Sequence, residues 1–175
     1  GDAAEVRRRV DSPDLVRSYE AAGTRGTRAY DMLILTTDAL ASSFDPLKAY
    51  HDGQGLVTEI HTMTDVGSND PAAVRDYIRN AYVNDGIEYV LIGGDDDVIP
   101  AQDLYVDGES NMPGDIYFGC LDGTWNEDGD GFFGEPNDGV GGGDVDLLAE
   151  VFVGRCSAGD TTEVGRFVTK TLWYL

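Results

Sequence analysis

The chain has 175 residues, with 33 Asp and Glu against 12 Lys and Arg, a formal net charge of -21 and a sequence pI near 4.1. Such a surface repels nucleic-acid phosphates and anionic lipid, which excludes both as ordinary partners and makes cations the natural ones. The length suits one packed domain, no stretch reaches the roughly 18 to 20 apolar residues of a membrane helix, and the polar segment Gly1–Val10 is not a signal peptide, so an exported parent would already have lost its leader.

Ser12 and Pro13 open a short helical pattern through Leu15, Val16 and Tyr19, closed by the turn at Gly23–Gly26, so residues 1–29 read as an N-terminal helical arm. Tyr30–Thr37 is nearly all apolar and reads as a strand covered on both faces. Ser43 is the expected cap of a helix with Asp45 and Pro46 in its first turn and Leu47 and Tyr50 facing inward. A second strand follows at Leu56–Met63.

Asn69 or Asp70, then Pro71, starts a helix whose Val74, Tyr77, Ile78, Ala81 and Tyr82 fall on one stripe, and Gly86 ends it. Glu88–Gly94 is the third strand. After Pro100 the rhythm shifts to short strands, expected at Leu104–Val106 and Asp115–Cys120, within a Gly/Asp-rich insertion spanning 101–148. Ala149–Arg155 returns to a core strand, and Asp160 or Thr161 caps a last helix carrying Val164, Phe167, Val168, Thr171 and Leu172; it runs to Leu175 without a stop signal, as in a piece of a longer protein. Alternating strands and helices at this spacing predict an α/β fold, three-layer αβα, with a mostly parallel sheet of about four core strands plus a short β/loop insertion.

Between Arg79 and Arg155 there is no Lys or Arg, while carboxylates crowd the same span. Unpaired, they would repel one another on folding, so a cation is expected among them. Within Leu121–Gly139, Asn126, Asp128 and Asp130 alternate ahead of Gly131, like the first, third and fifth ligands and the turn glycine of a calcium loop. Asp122, Glu135, Asp138 and the Phe132 carbonyl can complete a set of six to eight oxygens. The expected metal ligands are therefore Asp122, Asn126, Asp128, Asp130, Glu135 and Asp138, the expected ion is calcium, and Asp95 and Asp115 are outer candidates. Position twelve of a strict EF-hand loop would be Asn137 rather than Glu, and no helical pattern flanks the loop, so this is an EF-like loop in a β context.

Two other chemistries are weaker. Asp95, Asp96 and Asp97 follow a strand, as in phosphoryl-accepting domains, but no Lys lies between Lys48 and Lys170 to serve such a site, and Asp38 is a poor acceptor. Cys120 or Cys156 could pair with His51 or His61, yet neither His lies in a glycine-bounded loop, and acidic surroundings raise a thiol pKa. No catalytic residue is assigned.

The strand Tyr30–Thr37, the helix around Ala73–Arg79, Glu88–Asp95 with Val98-Ile99-Pro100, Gly114–Phe118, Asp128-Gly-Asp-Gly and Val151–Arg155 together resemble the N-terminal subdomain of gingipain-type cysteine peptidases, over roughly Tyr30 to Leu175. The resemblance implies two α/β subdomains side by side, with the catalytic His in a Gly-His-Gly loop and the nucleophilic Cys both in a second, caspase-like subdomain. Neither motif occurs here. It thus implies a non-catalytic supporting half of a secreted or cell-surface cysteine endopeptidase, calcium-stabilised and packed against that catalytic subdomain, through which protein or peptide substrate is met. The alternative is a freestanding calcium-binding interaction module without peptidase activity.

Overall fold

A computed structural model of the chain describes residue 23, residues 25–106 and residues 111–175. The helix expected at 11–22 lies outside the described residues. The chain divides into two compact units, one of Arg25–Ala101 with Val151–Leu175 and one that includes Gln102–Glu150. The strands in chain order are β1 (Met32–Thr36), β2 (Thr58–Thr62), β3 (Tyr89–Gly93), β4 (Gln102–Leu104), β5 (Met112–Gly114) and β6 (Phe152–Cys156).

The first unit is a four-stranded parallel sheet in the order β2-β1-β3-β6. All four core strands arise where the sequence places its apolar runs, within a few residues at each end. Side chains alternate between the two faces of a strand, so Leu33 and Leu35 of β1 turn away from Ile34. On the Ile34 face lie α1 (Asp45–Gly53) and α5 (Thr161–Tyr174), which enclose a core of Ile34, Phe44, Leu47, Leu91, Cys156, Val164 and Val168. Leu33, Leu35, Val90 and Ile92 are also buried, on the side where α3 (Pro71–Asp85) supplies buried Val74, Ile78 and Ala81. A short helix α2 (Met63–Val66) precedes α3. The unit is thus three-layered, αβα.

The local signals for α3 act as expected. Asp70 accepts a hydrogen bond from the Ala72 amide at 3.0 Å, Pro71 occupies the first turn, and Gly86 closes the helix in the left-handed region at φ 73°. A Cβ at Gly86 would also lie 2.7 Å from the Gly26 carbonyl, so this position admits only glycine. Asp160 caps α5 through the Thr162 and Glu163 amides.

The expectations for Ser43 and for Asp115–Cys120 need correction. Ser43 does not cap α1; it lies inside a 3-10 turn, Ala41–Phe44, that runs directly into the helix, and Phe44 at the junction gives no side-chain cap. Burial of the Phe44 ring in the core takes the place of a polar cap. Asp115–Cys120 is not a strand but contains the helical turn α4 (Ile116–Gly119). Tyr117, Phe118, Gly119 and Cys120 are consecutive and all buried, a pattern that one-sided strand alternation cannot produce.

In the second unit β4 and β5 pair antiparallel, Gln102 opposite Gly114 and Leu104 opposite Met112, so the short strand lies two residues earlier than Leu104–Val106. The rest of 111–150 is mostly loop. Tyr117 anchors it, with its ring edge-on to Trp125 and Phe133 at centroid distances of 5.8 and 5.9 Å.

Candidate metal centre

The loop 124–138 is shaped by its own polar side chains. Asn126 Nδ2 donates to the Asp130 carbonyl at 3.0 Å, the Asp130 amide donates to Asp128 Oδ1 at 3.2 Å, and the Phe132 amide donates to Asp130 Oδ1 at 2.6 Å. Trp125, buried beneath, holds φ at 65°, the one non-glycine residue in the left-handed region among those described. Such a conformation strains a bulky side chain and marks a backbone held by its surroundings.

This folding gathers carboxylate oxygens of Asp128, Asp130 and Glu135 within 4.8 Å of one another. Asp138 adjoins them: its Oδ2 accepts from the Glu135 amide at 2.8 Å, while its Oδ1 is buried without a hydrogen-bond partner. Asn126 Oδ1 is likewise buried and unpartnered. Burial first, then neighbouring carboxylates led by Asp130, raises the Glu135 pKa above the usual carboxylate range. Asp138 is raised too, chiefly by burial and further by Asp128 and Asp144, against the lowering effect of the Glu135 and Gly134 backbone.

Asp122 is not part of this group. It meets Asp146 and Glu150, again with ligand oxygens within 4.8 Å. Asp122 and Asp146 are buried, and Glu150 is fixed by accepting the Leu121 amide at 2.6 Å. Asp146 and Glu150 were missed as candidates, although the spacing Asp144-Val-Asp146 ahead of Glu150 repeats the alternation seen at 126–130. Buried Asp144 has another task, accepting from the Thr124 amide at 3.0 and 3.1 Å and from the Thr124 hydroxyl. Asp115 lies just before α4, in neither group.

Both groups fit a hard cation. Calcium binds six to eight oxygens at about 2.3–2.6 Å, so ligands on one ion lie up to about twice that distance apart. A 4.8 Å spread meets that limit, and the donors are all oxygen. Orphaned Asp138 Oδ1 and Asn126 Oδ1 are the acceptors such an ion would satisfy.

The other candidate chemistry is dispersed. Asp95 follows β3, where its amide donates to the Ala158 carbonyl at 3.1 Å, and Asp96 caps the turn through the Ala101 amide at 2.7 Å. Asp38 accepts from the Thr64 hydroxyl at 2.5 Å, which lowers its pKa. His61 on β2 and Cys156 on β6 occupy opposite edges of the sheet, three strand spacings of about 4.8 Å apart. His51 lines a cavity at the start of β6, beside Met32, Tyr89 and Phe152, whereas Cys156 ends that strand. Both cysteines are free thiols and buried.

The profile described as peptidase family C25 matches residues 26–175. The chain belongs to peptidase family C25. Solved structures share the fold of this C25 region: one titled "Structure of Protease" at TM-score 0.61 and 19% identity, over 83% of this chain and 28% of that one. A complex of the pro- and mature domains of RgpB from Porphyromonas gingivalis matches at TM-score 0.60 and 20% identity, over 82% and 29%. Dimeric latent PorU from the same organism matches at TM-score 0.61 and 19% identity, over 85% and 16%. The C25 chain thus spans less than a third of each of these structures. No individual curated protein matches it.

Proposed function

We propose that this chain is the N-terminal, non-catalytic subdomain of a secreted gingipain-like cysteine endopeptidase. In this reading it is stiffened by calcium and packs against a caspase-like catalytic subdomain that the 175 residues do not contain. Family membership supports the peptidase context, and the separation of His61 and His51 from Cys156 supports a supporting rather than a catalytic role. Among the described residues no helix is long and apolar enough to cross a membrane. The observation that carries the calcium reading is the buried, unpartnered Oδ1 of Asp138 beside the carboxylates of Asp128, Asp130 and Glu135.

Calcium would be held by Asp128, Asp130 and Glu135 with Asn126 and Asp138, and separately by Asp122 with Asp146 and Glu150. It would supply positive charge and cross-link a loop-rich unit whose described residues form a two-stranded hairpin and one helical turn. The test is thermal unfolding with calcium, with magnesium and after chelation, together with a peptidase assay of the chain alone. The expected result is a calcium-specific rise in Tm, lost in Asp128→Ala and Asp130→Ala, with no cleavage of peptide substrates. An unchanged Tm with elemental analysis showing no metal would dispose of the calcium reading, and turnover by the isolated chain would dispose of the supporting role.

A further inference from the structure

Away from the acidic loop, one face of α3 and the β2 edge of the sheet enclose a cavity of about 130 Å³ lined by Tyr30, His61, Tyr77, Asn80, Ala81, Asn84 and Asp85. Three of its walls are rings. Tyr30 and His61 have centroids 5.7 Å apart at 59°, and His61 and Tyr77 5.9 Å apart at 78°, so the rings form a corner rather than a stack. Tyr77 Oη and His61 Nδ1 share a 2.8 Å hydrogen bond that fixes two of the walls. Tyr30 is only 7% exposed, and its hydroxyl is buried without a hydrogen bond of regular geometry, beside the Asp85 carboxylate. Asp85 is held in turn by its carbonyl, which accepts the Ala29 amide at 2.6 Å.

We infer that this cavity binds an organic ammonium group. Ring faces are negative and attract a cation placed against them, and the attraction grows as water is excluded. The Asp85 carboxylate offers a counter-charge, and the lone pairs of the Tyr30 hydroxyl and the amide carbonyls of Asn80 and Asn84 offer acceptors for N–H groups. Among the described residues no Lys or Arg lines the cavity to fill that role from within. Its volume of about 130 Å³ leaves room for an ammonium carrying one to a few carbons. The fields of Glu59, Asp65 and Asp85, which act on Tyr30 and Tyr77, add to the selection for positive charge. The ammonium can come from a free small amine or from the end of a lysine side chain, and the chemistry recognised is the same.

The chain has only two histidines, so imidazole resonances report on the cavity directly, with His51→Gln assigning the His61 signal. Methylammonium chloride titrated into the labelled full chain is expected to shift the His61 resonance saturably and leave His51 unmoved. Potassium chloride at matched ionic strength should give no such shift. Asp85→Asn and Tyr30→Phe, which keep the ring walls and the shape, are each expected to weaken binding by roughly tenfold, the scale of one lost charge-assisted contact. Nα-acetyl-lysine amide separates the sources: binding of both probes assigns the site to side-chain ammonium groups, and binding of methylammonium alone assigns it to free amines. A His61 resonance that stays put with both probes, or moves equally with potassium chloride, overturns the inference.

Discussion

Asp138 gives one carboxylate oxygen to the Glu135 amide at 2.8 Å and keeps the other, Oδ1, buried with no hydrogen-bond partner. A buried carboxylate with one oxygen left without a partner is a costly arrangement unless something positive completes it. The pairing therefore makes the loop's stability depend on what occupies the space beyond Oδ1.

That dependence has a pH signature. Burial, with other carboxylates nearby, raises the pKa of both Glu135 and Asp138 in the folded, metal-free chain. A raised folded pKa means the folded state binds protons more readily than the unfolded state, so these groups favour folding below their unfolded values, and that contribution is lost as pH rises through the folded values. After chelation, acidification from neutrality toward about pH 4 should therefore raise Tm relative to Asp138→Asn, which lacks the titrating group. With saturating calcium the trend should reverse, because protons displace the ion. Differential scanning calorimetry across pH, with calcium and with chelator, reads both trends; identical profiles for the two proteins would refute the assignment.

The separation of Asp122 from the loop predicts two independent binding events. Asp130→Asn should remove one calcium-binding step and leave the other, whereas Asp146→Asn should do the converse. Isothermal titration of each variant measures this. A single step abolished by either substitution would show one shared site instead.

Gly93 in β3 is closely enclosed in the core. A Cβ there would lie 2.7 Å from the Phe44 ring and 2.9 Å from Thr36 Cβ, while the Gly93 carbonyl accepts the Thr36 hydroxyl at 2.5 Å. Gly93→Ala should destabilise the chain by about 1–3 kcal/mol through overpacking. Denaturant unfolding measures it, with Gly154→Ala as the control, since a Cβ at Gly154 meets nothing within 4 Å.

Burial, with a smaller contribution from Glu163, pushes the Cys156 thiol up to about 11. At neutral pH it is therefore an inert thiol rather than a nucleophile. Labelling by an alkylating reagent at pH 7.5 should proceed only at the rate of unfolding and should be accelerated by denaturant. Rapid stoichiometric labelling of Cys156 in the native chain would contradict the buried geometry.

Much of the fold was legible from local pattern. The apolar runs at Tyr30–Thr37, Leu56–Met63, Glu88–Gly94 and Ala149–Arg155 became the four parallel strands, and the caps Asp70 and Asp160 act where they were read, because strand burial and capping are decided within a few residues. Ser43 misled because its spacing satisfies a cap rule while the burial of Phe44, a long-range effect, sets the start of the helix. Asp115–Cys120 misled because a short apolar run carries no period of its own.

At the acidic loop, the alternation Asn126, Asp128, Asp130 is local, and those side chains bond to backbone only a few residues away. Which distant carboxylates join which group was not local information. Asp122 meets Asp146 and Glu150 across more than twenty residues of intervening chain, and Tyr30 ahead of β1, His61 on β2 and Tyr77 on α3 come together from separate stretches of sequence. The sequence by itself determined where the four core strands and the capped helices α3 and α5 lie, the excess of negative charge and the spacing of the loop oxygens. Tertiary structure decided the strand order, the partition of the carboxylates and the ring-walled cavity, because each depends on chain closure over long separations and on packing, to which periodicity within a single element is blind.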